Sequence, residues 1–178
     1  MKNIIRIGNG QGFWGDSIDA PVDLAKDGPL DYLTLDYLAE VTLSIMQRQK
    51  LKNSNAGYAR DFIDLIRRIL PEIQENGLKV ITNAGGVNPK TCREELLKLS
   101  EDSEKKIKIG VIQGDDIYQN IQAIRDKGIT FDNMDSGQSF DEIADKVYSA
   151  NVYIDSFTIS EALEKGAQIV LAGRVSDP

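Results

Sequence analysis

The chain has no histidine among its 178 residues. Ser-His-Asp and Cys-His chemistry and the usual zinc sites therefore have no imidazole to work with. Proton transfer falls to carboxylates, Lys, Tyr or Cys. The carboxylates best placed for it are Asp16, Glu40, Asp115 and Asp116. Glu40 suits a general acid or base if it faces a site, and is otherwise part of a solvated helix face. Asp115 and Asp116 could hold a Mg²⁺-like ion with Asp16 or Asp177 as further oxygen ligands. The plainer alternative is that one of them caps the helix starting near Ile117. Arg174 offers a planar fork for a carboxylate or phosphate, or an internal pair with Asp177. Cys92, the one cysteine, falls in the first turn of a helix beside Glu94 and Glu95, which oppose thiolate formation.

Glycines gather around these groups. "RIGNGQGFWGDS" carries Gly8, Gly10, Gly12 and Gly15, with Asn9 between the first two. A dinucleotide fingerprint needs G-x-G-x-x-G, and position 13 is Phe. Asp36 has the place of a ribose-binding acid, but the intervening segment is too short for a proper crossover helix. Trp14 reads equally as a lid or as core. "TNAGGVNP" puts Asn83, Gly85, Gly86 and Asn88 between a strand and a capped helix start, which favours an anion. An ordinary turn is the alternative. The glycine and Lys-Thr spacing does not fit a Walker loop. "QGDD" adds Gly114, and "AGRVSDP" adds Arg174 and Asp177.

Strands are expected at Asn3–Ile7, Tyr32–Leu35, Lys79–Thr82, Lys108–Ile112, Val152–Ile154 and Gln168–Leu171, all short and rich in Ile and Val. Helical periods lie between them. Val41, Ile45 and the stem of Arg48 form a stripe on a helix over Leu38–Leu51. Phe62, Ile66, Ile69 and Ile73 form another, with Pro71 kinking or splitting it and Gly77 ending it. Asn88-Pro89 opens a third. Ile117, Ile121 and Ile124 line a face ending at Gly128. Ser139 with Glu142 and Thr158 with Glu161 fit capping boxes. Lys127–Gln138 reads as a loose loop.

Alternating strands and helices predict a three-layer, doubly wound, mostly parallel α/β sheet of Rossmann-like type, with an incomplete (β/α) barrel as the alternative. Residues 1–178 form one domain. Strand one is expected at the centre, and the glycine, Asn, Asp and Arg loops at one carboxyl edge as a composite site.

The net charge of −7 argues against nucleic acid and anionic membranes, which need a basic face. No window approaches the ~18 apolar residues of a membrane span. The lone cysteine and the lack of a signal-peptide pattern suggest the cytoplasm.

Taken in order, "RIGNGQGFWGD", "LDYLAEVTL" with Glu40, "TNAGGVNP", "QGDD" and "AGRVSDP" resemble the acyclic terpene utilisation family along essentially the whole chain. The resemblance implies an enzyme or enzyme subunit in the CoA-linked degradation of branched or terpenoid acids. It also implies the N-terminal portion of a longer architecture. The expectation is action on a small organic acid or its CoA thioester, through a hydratase or other lyase-type step. The cofactor is Mg²⁺ if any. The alternatives are a non-catalytic ligand-binding or assembly subunit needing a partner chain, and a nucleotide-dependent oxidoreductase. A homo-oligomer or partner subunit, with an exposed apolar patch, is expected as well.

Overall fold

A computed structural model describes residues 4–101 and 105–175. Five strands form one open, all-parallel sheet: β1 (Ile7–Gln11), β2 (Tyr32–Leu35), β3 (Lys79–Thr82), β4 (Ile109–Val111) and β5 (Ile169–Leu171), in the spatial order β1-β2-β3-β5-β4. Helices α1 (Asp19–Asp27), α2 (Glu40–Lys52), α3 (Arg60–Arg68), α4 (Leu70–Gln74), α5 (Pro89–Lys98), α6 (Ile121–Arg125) and α7 (Phe157–Glu164) connect them. The α/β class and the parallel pairing expected from the sequence are thus observed, in a sheet that does not close.

Alternation along the strands sorts the sheet into two unequal faces. Leu33 and Leu35 of β2, Val80 of β3, and Ile169 and Leu171 of β5 point to one side. There they meet Val22 of α1, Phe62, Leu65 and Ile66 of α3, Ile73 of α4 and Leu96 of α5, all fully buried. This is the core. The second face is covered only where α7 lies over β4 and β5. Gly110 faces that helix, and a Cβ there would stand 3.1 Å from the Ala162 Cβ. Beyond α7 the described residues of this face, such as Thr34 and Ile81, are half-buried. Ile7 of β1 is 65% exposed, with Ile4 and Ile5 exposed beside it.

The first strand differs most from expectation. It runs over the glycines themselves and is an edge strand, not the central one. Of the expected Asn3–Ile7, only Ile7 belongs to it, and Asn3 lies outside the described residues. The reason is packing. A Cβ on Gly8 would come within 2.7 Å of Leu30, and one on Gly10 within 2.6 Å of Pro21. Glycine lets α1 and its flanking residues close onto the strand.

The expected sixth strand, Val152–Ile154, is not part of the sheet. It makes single bridges beyond the strand ends, with the Val152 N–H donating to Asp115 O and the Ile154 N–H to Arg174 O. On α2 the inward residues are Leu43 and Met46, whereas Val41 and Ile45 face solvent, so the expected stripe is the outer one. Pro71 does split its helix, near the N-terminus of α4. The segment after Ile117 forms 3₁₀ turns and the short α6, and buries none of its isoleucines. Ser139 caps only a 3₁₀ turn. The Asn88 and Thr158 side chains cap nothing; α7 begins at Phe157, whose N–H bonds to Asp155. Among the described residues no helix is long and apolar enough to cross a membrane.

Candidate functional site

The strand order departs from the sequence order beyond β3, where β5 returns between β3 and β4. At the carboxyl ends of β2, β3 and β5, three polar residues follow apolar strands: Asp36, Asn83 and Arg174. Ligands of open α/β sheets bind at this end. Asn83 is buried and organises the centre. Its Oδ1 accepts from the Tyr37 N–H at 2.7 Å, and its Nδ2 donates to Asp36 Oδ1 at 2.6 Å. The Leu38 N–H donates to the same oxygen. Asp36 is thereby fixed with Oδ2 3.9 Å from Arg174 Nη1.

Arg174 is only 7% exposed, so its charge needs compensation close by. Asp36 supplies part of it. The ring of Tyr153 supplies more, with its centroid 5.2 Å from the guanidinium carbon, within cation–π range. The Tyr153 hydroxyl donates to Glu40 Oε1 at 2.8 Å. Glu40, the first residue of α2, is held below the usual carboxylate range. Its own backbone N–H is the largest cause, then the Tyr153 hydroxyl, then the Arg174 charge. It is therefore ionised at neutral pH.

Two adjoining concavities meet at Arg174. One, of about 240 Å³, runs on the second sheet face past Asn9, Thr34 and Ile81 toward Ile159 of α7. The other, of about 260 Å³, lies between Glu40, Asn151 and Tyr153. Asn9, Asn83 and Arg174 thus line the first concavity, and Glu40 and Arg174 the second.

The remaining candidates are placed elsewhere. Gly8 and Gly10 belong to the β1 ladder and its packing. The Gly12 N–H bonds to Asp16 Oδ2, so Asp16 closes its own loop. Trp14 donates to Asp61 Oδ1 and packs against the core. The loop holding Gly85 and Gly86 is buried, and the N–H groups of Gly86, Val87 and Asn88 all bond to backbone carbonyls. The loop packs closely against Met46 and the backbone of Gly57 and Tyr58. Asn88 Nδ2 donates to the carbonyls of Ser54 and Ala56 and ties down the loop before α3. Gly114 adopts φ +124° with open space around it.

Asp115 and Asp116 point apart. Asp115 is buried and accepts from Asn151 Nδ2 and the Arg174 N–H. Its carboxylate fills the place a Cβ on Gly173 would take, about 2.2 Å away. Asp116 bonds to the Tyr118 N–H. Among the described residues no three His, Cys, Asp or Glu side chains gather as a cation's ligand set. Asp115 links Asn151 to the backbone of Arg174. Asp177 lies outside the described residues. Burial pushes the Cys92 thiol up to about 12, with Glu95 adding to the effect, so it is inert at neutral pH.

Tyr153 is the residue that sequence reasoning missed, since "VYI" reads as an ordinary strand. Asp36 was noticed for a ribose, and its partners here are Asn83 and Arg174. The Tyr153–Glu40 bond has a measurable consequence. In Tyr153→Phe the ring stays and the donor is lost, so the Glu40 titration midpoint moves up toward the ordinary value. Carbon-13 titration of the glutamate carboxyls reads this directly. An unmoved midpoint shows that the hydroxyl does not hold Glu40.

No curated protein and no solved structure matches this chain. The family model described as acyclic terpene utilisation family protein AtuA matches residues 5–178, from the start of β1 through Arg174 and beyond, and the chain belongs to that family.

Proposed function

We propose that the opening around Arg174 binds a small organic acid or its CoA thioester, with the carbonyl oxygen at the guanidinium and Glu40 as the base. The observation that carries this reading is the buried Arg174 at the joint mouth of two concavities, with an ionised Glu40 linked to it through Tyr153. Two carboxylates, Asp36 and Glu40, flank one guanidinium. This balance disfavours a dianion and suits a carbonyl that gains negative charge during reaction. Removal of a proton next to a thioester carbonyl has that character. Glu40 takes the proton, and Arg174 stabilises the oxyanion that develops. A hydratase or other lyase step begins in this way.

Calorimetry of the protein with simple monocarboxylates, free CoA and short acyl-CoA esters tests binding. Exchange of the acyl α-hydrogens in D₂O tests the chemistry. The expected result is acyl-CoA binding tighter than free CoA, with exchange lost in Glu40→Gln while binding persists. Binding without exchange in the unaltered protein would leave a ligand-binding subunit. The absence of any binding overturns the reading.

A further inference from the structure

The sheet ends at β4, and the outward side of this edge strand can pair with itself about a two-fold axis. Lys108 O accepts from the N–H groups of Gln168 and Ile169, and the Ile112 N–H donates to Leu171 O. By alternation, Lys108, Gly110 and Ile112 turn their backbone groups toward β5. Ile109 and Val111 turn theirs outward. Among the described residues no strand pairs with that side. A groove of about 450 Å³ runs along it, walled by Thr158, Glu161, Ala162 and Lys165 of α7. Helix α7 itself has no buried residue.

We propose that the occupant of this groove is a second copy of the chain, paired through β4 in antiparallel fashion about a two-fold axis at Gly110. The register follows from the outward groups. Ile109 of one copy faces Val111 of the other, and the reverse, so that two hydrogen-bonded pairs flank a central Gly110–Gly110 position. An isologous contact requires such symmetry. The helices fit the same operation. Helix α7 lies over both β4 and β5, so continuing the ~4.8 Å strand spacing across the axis sets the two α7 helices about 10 Å apart. That is a normal helix-packing distance.

Ala162, the helix residue over Gly110, is small enough for the close approach at the axis. Glu161 and Lys165 pair within one chain at 2.6 Å on an exposed surface. Antiparallel α7 helices bring each Lys165 beside the other copy's Glu161, so the pair is exchanged without leaving a charge unmatched. The product is a continuous ten-stranded sheet with its free edges at the two β1 strands. Lys108 at the strand end, a common guard against promiscuous edge pairing, restricts the edge to partners that leave its ammonium in water.

Sedimentation velocity and amide exchange on the full chain test this. The expected mass is twice 19.7 kDa at micromolar concentration. The Ile109 and Val111 amides are then protected, and their exchange quickens about tenfold or more on dilution below dissociation. Val111→Pro removes an outward N–H, which an edge strand tolerates, and yields a folded monomer by circular dichroism. A 19.7 kDa species in the unaltered protein, or a dimer in which both amides exchange freely, overturns the proposal. So does a dimer that survives in folded Val111→Pro. If that variant does not fold, mass and exchange in the unaltered chain decide alone. None of these readouts depends on ligand binding at Arg174.

Discussion

Arg174→Ala is expected to weaken acyl-CoA binding by ~1.5–3 kcal/mol, about ten- to hundredfold in Kd, while leaving the fold intact. The loss is the size of a charge-assisted hydrogen bond. The backbone bonds of position 174 are kept in the variant. Its N–H bonds to Asp115 and its carbonyl accepts from Ile154. The side chain meets Asp36 and the face of Tyr153. Asp36 is 46% exposed, so water takes over its solvation when the guanidinium is gone. Arg174→Lys is expected to fall between, since it keeps the charge and loses the planar fork. Calorimetry on the two variants, with thermal denaturation as the control, settles the point. Affinity unchanged in a folded Arg174→Ala protein removes this residue from the site.

The largest effect on stability is expected at the other glycine cluster. Gly86 has φ +53°, and a Cβ there would stand 2.3 Å from Met46 Sδ and 2.7 Å from Gly57 O. Met46 is fully buried and the carbonyl belongs to the backbone, so neither yields cheaply. Gly86→Ala combines backbone strain with overpacking and is expected to lose ~2–4 kcal/mol. For a chain of this size that is a Tm roughly 5–15 °C lower. Gly77→Ala is the matched control. Its φ is +75°, but nothing lies within 4 Å, so only the conformational part, about 1 kcal/mol, is lost. Denaturant titrations of both variants test the difference. Equal losses would mean that packing under α2 contributes nothing.

These two positions also show what was legible beforehand. Tyr32–Leu35 and Lys79–Thr82 were readable as strands because both alternate cleanly between turn signals. Glu40, Asn83 and Arg174 stood out as candidates because they follow short strands at the end of a parallel sheet where ligands bind, and the structure places them near one another. The glycines of both loops read two ways from sequence, and Gly8, Gly10 and Gly86 each make room for another part of the chain. Only the positions of Leu30, Pro21 and Met46 distinguish the two uses, and those are set by tertiary packing. On α2 the outer Val41 and Ile45 share the helical period of the inner Leu43 and Met46. Periodicity alone could not choose the phase. Tyr153 stood in a segment with the composition of a strand, and its place over Arg174 depends on bonds to residues far along the chain.

Between residues 113 and 156, Asp115 is the one buried residue. Little apolar burial therefore opposes local opening, and the segment is held at its base by bonds from Asn151 and Arg174 to Asp115 and from Ile154 to Arg174. Such a unit is expected to open at a free energy below that of global unfolding. Tyr153 rides on it, so the Glu40–Tyr153–Arg174 arrangement exists only while this unit is closed. A ligand that requires the closed form contributes part of its binding energy to keeping it so, and its apparent affinity is scaled by the closed fraction. Substitutions far out on the segment, touching no ligand, therefore tune affinity through that fraction alone.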